Sequence, residues 1–256
     1  MPCLKTKFKL RPRLGSFLFM EDNMGRVFIT GDKHGNFSFL EDFCYENNTT
    51  TEDTLIILGD AGINYFLKRI DKKIKEEIAK CPITLFCIHG NHEERPQNIQ
   101  TYKLKYFSEY GCNCWYEEKF PTILFPENGI AEINGNKCLI IGGAYSIDKY
   151  YRLVNHYNWF ESEQLTEEEK NEIFSSLKEN DSFDYIFTHT APLNYEPTYL
   201  FLKFIDQSQV DKSMEIFLQR VYDKVRFKKW YFGHYHDNRD FENGLSILFN
   251  SIIEIM

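Results

Sequence analysis

Short apolar runs alternate with amphipathic segments through the first third of the chain. The runs at residues 26–30, 54–58 and 83–88 have the length and the β-branched content of buried strands. Residues 38–46 and 64–80 lie between them and have the periodicity of helices. In the longer of these two segments, the side chains expected on the buried face are Leu67, Ile70, Ile74 and Ile78. This alternation predicts parallel strands with helices on their outer faces.

In the middle of the chain, turn residues separate the apolar runs. Residues 121–125, 129–133 and 137–141 are predicted strands, and Asn134-Gly135 between the last two is a strong hairpin signal. A capping box, Thr166 with Glu169 three residues later, predicts the start of a helix.

One more helix and three more strands are expected after that point. Asp206 with Gln209 is expected to open the helix, which has an apolar face formed by Val210, Met214, Phe217 and Val221. Residues 185–188, 230–233 and 246–255 read as strands. No long linker interrupts the pattern, so we expect a single domain over residues 1–256, with two packed sheets and helices on both outer faces.

Charge and cysteine content narrow the class of protein. The 256-residue chain has a formal net charge of −8, which argues against a general nucleic-acid-binding surface. Residues 5–11 are nevertheless locally basic. The seven cysteines are scattered, and neither a signal peptide nor an apolar run of membrane-spanning length is present. We therefore expect a cytoplasmic protein with no membrane partner.

Five polar blocks each follow a predicted strand. They are Gly31-Asp32-Lys33-His34-Gly35, Gly59-Asp60, Gly90-Asn91-His92-Glu93, Thr188-His189 and Gly233-His234-Tyr235-His236. Ligands bind beyond the carboxyl ends of the strands in α/β sheets, so residues from all five blocks can converge there. The glycines that precede the polar residues are expected to let the backbone turn tightly out of each strand.

The residue types in these blocks suit metal ions. Aspartate oxygen and histidine nitrogen together favour manganese, iron, zinc or nickel over magnesium alone. Two such ions clamp the attacking and leaving oxygens of an in-line displacement and lower the pKa of a bound water.

The order of the blocks resembles the signature of the calcineurin-like metallophosphoesterases: D-x-H, G-D, G-N-H-(D/E), H and G-H-x-H. The resemblance runs from Asp32 to His236 and implies a four-layer αββα sandwich with two mixed β-sheets flanked by helices. It also implies two divalent metal ions. The ligands of one ion would be Asp32, His34 and His236; those of the other would be Asn91, His189 and His234; Asp60 would bridge both. His92 would bind no metal and would act as the general acid.

This resemblance implies a dinuclear phosphoesterase in which a metal-bridging hydroxide attacks phosphorus. Protein serine/threonine phosphatases of the superfamily carry an arginine near the second and third blocks, and residues 59–64 and 88–91 have none. We therefore expect a small phosphorylated substrate, such as a phosphodiester or nucleotide, rather than a phosphoprotein. An enzyme that processes nucleic-acid ends is the alternative, which the acidic charge disfavours. A non-catalytic scaffold is the other alternative, which the complete ligand set disfavours.

Residues near the blocks have less specific signals. Tyr145 and Arg152 lie in the segment 142–152, which follows a predicted strand. Both are candidate substrate contacts: Tyr145 would stack on a ring of the substrate, and Arg152 would bind its phosphate. An ordinary turn followed by a helix start would have the same sequence. Substrate contact by Arg95 stays open. The residues that we interpret as structural or supporting are Lys33, His89, Glu93, Cys112, Cys114 and His156.

Overall fold

The computed structural model describes residues 25–201, 203 and 206–256. Its strands are β1 (Val27–Thr30), β2 (Thr54–Ile57), β3 (Thr84–Cys87), β4 (Lys103–Phe107), β5 (Cys112–Glu117), β6 (Phe120–Pro126), β7 (Gly129–Ile133), β8 (Asn136–Ile141), β9 (Ser182–Thr188), β10 (Arg226–Phe232), β11 (Arg239–Asp240), β12 (Leu245–Ile247) and β13 (Ile253–Glu254). Its α-helices are α1 (Leu40–Asn47), α2 (Arg69–Ile78), α3 (Lys149–Val154), α4 (Glu167–Ser176) and α5 (Ser213–Lys224).

The strands form two mixed sheets. The first has the order β13-β1-β2-β3-β6-β5-β4, and its strands β1, β2, β3 and β6 are parallel. The second has the order β11-β12-β10-β9-β8-β7, and its strands β12, β10, β9 and β8 are parallel. Antiparallel strands complete the edges of both sheets.

Three apolar clusters define four layers. Alternate residues of each strand point to opposite faces, so Val27 and Ile29 of β1 face the second sheet while Phe28 faces the helices. The cluster between the sheets joins Val27 and Ile29 to Ile140 and Phe187 of the other sheet. The outer face of the first sheet packs on α1 and α2, and that of the second on α4 and α5. The predicted α/β fold, an αββα sandwich, is therefore confirmed.

Local signals at two turns are also confirmed. Asn134 and Gly135 have φ angles of 49° and 71° and connect β7 to β8 as a hairpin. Thr166 Oγ1 accepts a hydrogen bond from the Glu169 amide, and Glu169 accepts one from the Thr166 amide, which closes the capping box of α4.

The predicted helix over residues 64–80 is shorter in the structure. The carboxylate of Asp71 accepts hydrogen bonds from the amides of Phe66 and Leu67, and Leu67 has a φ of 54°. This holds the preceding segment as a loop, so α2 begins only at Arg69. Leu67 in this loop and Ile70 in the first turn of the helix are both exposed, and Ile74 and Ile78 alone of the predicted face pack on the sheet.

Three other segments differ from the expectation. Asp206 accepts from the Ser208 amide and starts a 3-10 turn, and α5 begins only at Ser213. The predicted strand over residues 246–255 is divided between β12 of the second sheet and β13 of the first. Strands β4 and β5 were not predicted. β4 is an edge strand with four of its five residues exposed, so it lacks the apolar run of a buried strand.

Two expectations remain predictions. The basic stretch 5–11 lies outside the described residues, and the single-domain assignment over 1–256 stays a prediction. Among the described residues, no helix has the length and apolar character that a membrane crossing requires.

Candidate metal centre

The five polar blocks meet at one edge of the sandwich, where the parallel strands of both sheets end. Asp32 follows β1, Asp60 follows β2 and Asn91 follows β3 in the first sheet; His189 follows β9 and His234 follows β10 in the second. All seven predicted metal ligands lie in this one cluster.

The first group consists of Asp32, His34 and His236. The Nε2 atoms of the two histidines lie 2.9 Å apart, although they come from positions 202 residues apart in sequence. Asp32 Oδ2 lies 3.1 Å from Nε2 of His236 and 3.9 Å from Nε2 of His34. The three donor atoms therefore surround one point, as the ligands of a single ion do.

The second group consists of Asn91, His189 and His234. Oδ1 of Asn91 lies 2.8 Å from Nε2 of His189 and 3.1 Å from Nδ1 of His234. His189 is fully buried, and its Nδ1 lies 2.7 Å from the Leu58 carbonyl oxygen. A carbonyl can only accept, so Nδ1 carries the proton and the lone pair of Nε2 faces the cluster.

Asp60 lies between the two groups. Its Oδ1 is 3.6 Å from Nε2 of His189, and its Oδ2 is 4.0 Å from Nδ1 of His34. The carboxylate is 1% exposed. One side chain thus presents an oxygen to each group, which is the arrangement that a bridging ligand needs.

The residues fit a pair of divalent cations. Oδ2 of Asp32 is buried and makes no well-aligned hydrogen bond among the described residues, although Nε2 of His236 lies 3.1 Å away. A buried carboxylate oxygen needs a cation beside it, which a metal ion or a protonated His236 would supply. The donor set of carboxylate, amide oxygen and imidazole matches first-row metals.

Glycines keep the cluster compact, mainly by leaving room. A Cβ on Gly90 would lie 2.0 Å from Oδ1 of Asp60, and one on Gly59 would lie 2.1 Å from Nδ1 of His189. The expectation that glycines make the turns is only partly met. Among the glycines that precede the polar residues, Gly59 alone has a positive φ, whereas four ligand residues themselves adopt left-handed φ angles: His34, Asp60, His234 and His236. Such conformations occur at functional sites where the surrounding structure enforces them.

The pKa shifts of two ligands, His234 and Asp60, favour the protonation states that metal binding needs, whereas the nearby carboxylate of Asp32 raises the pKa of His236. Burial lowers the pKa of His234 to about 3. Burial alone would raise the pKa of Asp60, but the neighbouring histidines His189, His92 and His34 outweigh it and hold the pKa below its ordinary value. Metal ligands must be neutral imidazoles and ionised carboxylates, and these directions favour both.

His92 lies beside the cluster and is oriented by its neighbours. Its backbone amide donates to Oδ1 of Asp60 at 2.7 Å, and its Nε2 lies 4.0 Å from Oδ2 of Asp60. The guanidinium of Arg152 contacts Nδ1 of His92. Arg152 also donates to the carboxylate of Asp148, the hydroxyl of Tyr65 and the carbonyl of Asn158.

A cavity of about 350 Å³ opens next to the cluster. Its floor includes Asp60, Asn91 and His92, and Tyr145 is on its wall. Tyr145 is therefore placed where a substrate could reach it, whereas Arg152 lies against His92. Substrate contact by either residue stays a prediction.

The remaining predicted residues lie around the cluster. Lys33 points away from it, since its Nζ donates to the Phe249 carbonyl at 2.8 Å. Glu93 accepts from the amides of Gly62 and Gly90 and so ties the second block to the third. The guanidinium of Arg95 is buried and donates to the carbonyls of Ser162 and Gln164 and to Glu169, away from the cavity.

Other histidines and cysteines lie outside the site. His89 is buried with Nε2 3.2 Å from the Ser162 carbonyl oxygen, and His156 is exposed on the surface. Cys112 and Cys114 are buried in β5 with their sulfurs 3.8 Å apart, and no third ligand joins them in the described part of the chain.

Two supporting residues had no signal in the sequence. Ser146 is buried, and its Oγ accepts a hydrogen bond from Nδ2 of Asn91 at 2.8 Å. Glu215 in the first turn of α5 accepts from Thr190, the residue after His189, at 2.7 Å. Both contacts join positions more than 20 residues apart, so no local pattern could have revealed them.

Comparison with known families agrees with this geometry. The family model for calcineurin-like phosphoesterases matches residues 25–238. The match spans most of the chain and all five blocks, so the protein belongs to this family, whose members are metal-dependent phosphoester hydrolases. Comparison with individually curated proteins found no match.

Proposed function

We propose that this protein hydrolyses a small phosphate ester at two divalent metal ions, with manganese, iron, zinc and nickel as candidates. The observation that carries the proposal is Asp60, whose two oxygens face two separate groups of ligands. Asp32, His34 and His236 would hold one ion, and Asn91, His189 and His234 the other. When bound, the ions supply an activated water and neutralise charge on the phosphate.

His92 is the general acid in this proposal. Proton transfer requires the imidazolium form of His92, in which both ring nitrogens carry a proton, so the contact of the Arg152 guanidinium with Nδ1 belongs to the neutral ring. Nε2 lies 4.0 Å from Oδ2 of Asp60, and in the imidazolium its proton is available to the leaving oxygen of the ester. The side chain is 23% exposed, so it is accessible from the cavity that it lines.

Local charge favours phosphate in spite of the acidic chain. Two divalent ions carry four positive charges, of which the carboxylates of Asp32 and Asp60 offset two. With both ions bound the cluster would therefore be positive, while the chain as a whole has a net charge of −8. The cavity of about 350 Å³ suits a small organic group, which supports a small phosphodiester or nucleotide over a nucleic acid as the substrate.

The test combines metal uptake with hydrolysis of 4-nitrophenyl phosphate and bis(4-nitrophenyl) phosphate. Asp60→Ala and Asn91→Ala should abolish manganese-dependent turnover, and the preferred ester tells phosphatase from phosphodiesterase. His156→Asn is the matched control, because His156 is exposed, has a φ of 56° that asparagine tolerates, and lies outside the cluster. Full turnover by Asp60→Ala would refute the dinuclear site. A wild-type protein that binds none of these metals would be a scaffold.

A further inference from the structure

The cavity beside the metal cluster has an apolar and acidic end that phosphoester hydrolysis does not itself require. The aliphatic and aromatic side chains on this wall are Ile147, Leu200, Phe201 and Val210. Four carboxylates also line it: Asp148, Glu196, Asp211 and Glu215. Lys212 is the one lysine or arginine on the wall within the described residues.

Glu215 is the most informative of these side chains. It is 5% exposed, and its Oε1 accepts from Oγ1 of Thr190 at 2.7 Å. The hydroxyl of Tyr235 lies 2.9 Å from the same Thr190 oxygen. Oε2 of Glu215 is buried and has no hydrogen-bond partner among the described residues. Burial raises the pKa of Glu215 to about 7, so a cation bound against it would hold it ionised. Its unused oxygen is suited to accept from such a bound donor.

The charges on the wall do not balance. Nζ of Lys212 forms a salt bridge of 2.6 Å with Oε1 of Glu196 and lies over the ring of Phe201. Asp148 pairs with Arg152 through Oδ2, and its buried Oδ1 has no hydrogen-bond partner in the described ranges. Asp211 and Glu215 have no cation of their own among the residues described. The wall is therefore negative, in contrast to the metal-loaded floor.

From this wall we infer that the enzyme selects phosphate esters whose leaving group carries a cationic amine on an apolar body. The inference rests on the proposed function and names its substrate class. His92, the proposed general acid, lines the same cavity as Glu215, so the group that departs with the proton is the one that occupies the cavity. The apolar side chains contact its body, and Oε2 of Glu215 accepts from its ammonium group. A second anionic group would face unpaired carboxylates and is rejected.

Three aryl phosphates of matched shape test this selection on the manganese-loaded protein. They are 4-(2-aminoethyl)phenyl phosphate, 4-ethylphenyl phosphate and 3-(4-phosphonooxyphenyl)propanoate, which carry a positive, a neutral and a negative end group. The measured quantity is kcat/KM from phosphate release, or the inhibition constant against bis(4-nitrophenyl) phosphate for any ester that is not turned over. We expect the amine to exceed the ethyl compound by about tenfold or more, and the carboxylate to fall below it by a similar factor.

The variant Glu215→Gln keeps the shape and the acceptor for Thr190 but removes the charge. In this variant the ratio of amine to ethyl compound should fall to about two or less. Glu46→Gln, on the exposed surface of α1, is the matched control and should keep the wild-type ratio. The wild-type ratios test the selection even if Glu215→Gln does not fold.

The outcomes separate this inference from the proposed function. Equal kcat/KM values for the three esters, or a higher value for the carboxylate ester, would overturn the inferred selection for an amine. Hydrolysis itself would still stand. If Glu215→Gln kept the wild-type ratio of amine to ethyl compound, the proposed role of Glu215 would be overturned. If none of the three esters is hydrolysed or inhibits while bis(4-nitrophenyl) phosphate is turned over, the selection fails and the proposed function stands. If 4-nitrophenyl phosphate and bis(4-nitrophenyl) phosphate are not hydrolysed either, the proposed function itself fails.

Discussion

Nδ2 of Asn91 donates a hydrogen bond of 2.8 Å to Oγ of Ser146, across 55 residues of sequence. Because the amide has one donor end and one acceptor end, this bond turns Oδ1 toward His189 and His234. Ser146 thus sets which atom of Asn91 faces the metal cluster. Ser146 contacts a proposed metal ligand and not the metal itself, so it is a positioning residue.

Removing the Ser146 hydroxyl should weaken metal binding. We expect Ser146→Ala to lower the affinity for Mn²⁺ by about 10–100-fold, as is usual when the hydrogen-bond partner of a metal ligand is lost. Isothermal titration calorimetry measures this directly. Ser146→Thr keeps the hydroxyl and should restore most of the affinity. Equal affinity in Ser146→Ala and wild type would show that Asn91 is oriented by other contacts.

Space at Gly90 is a requirement of the site. A Cβ there would lie 2.0 Å from Oδ1 and 2.2 Å from the backbone nitrogen of Asp60, so we expect Gly90→Ala to displace Asp60 and to lose metal and activity together. Gly135→Ala is the contrast. Its Cβ meets nothing within 4 Å, but its φ of 71° is strained for alanine, so it should cost about 1–2 kcal/mol of unfolding free energy while retaining metal. Metal content by mass spectrometry and urea unfolding distinguish the two cases.

Two roles for Arg152 predict different kinetics. If it acts by orienting His92, Arg152→Gln should lower kcat by about 10–100-fold with little change in KM. The loss should be larger for phenyl phosphate than for 4-nitrophenyl phosphate, because the poorer leaving group depends more on the general acid. Arg220→Gln, an exposed change on α5, is the control. A rise in KM at constant kcat would instead favour the phosphate-gripping role.

Asp53 should make stability depend on pH. It is 5% exposed and accepts from the backbone amide of Arg26 at 2.8 Å, from Nη2 of Arg26 at 3.0 Å and from the Thr50 amide at 2.8 Å. Burial raises the pKa of Asp53, but these hydrogen bonds outweigh it, so the native pKa lies below the ordinary value.

A depressed native pKa stabilises the fold above the unfolded pKa of about 3.9, and the contribution is lost as the pH falls through the native pKa. We therefore expect Asp53→Asn to lower the unfolding free energy by about 1.5–3 kcal/mol near neutral pH and by less at about pH 3. Urea unfolding at both pH values measures the difference, with the exposed Glu52→Gln as control. A pH-independent difference would mean that the Asp53 carboxylate is not the source.

Sequence patterns predicted the elements of the fold best where local chemistry acts alone. The hairpin at Asn134-Gly135 and the capping box of Thr166 with Glu169 depend on neighbouring residues, and both are present. The start of α2 was misplaced because Asp71 holds Phe66 and Leu67 in a loop that helical periodicity does not reveal. The separation of β12 from β13 depends on which sheet edge was free, and this is a property of the assembled sandwich.

The sequence by itself determined which side chains converge in the candidate metal site, because the ends of parallel strands meet at one edge of a sheet and each block follows a strand. The tertiary structure alone decided how those residues are oriented and what surrounds them. The hydrogen bond of Ser146 to Asn91, the contact of Arg152 with His92 and the unpaired oxygen of Glu215 at the cavity wall all join distant segments. Such contacts arise only when the two sheets pack together, and they leave no spacing or periodicity in the chain.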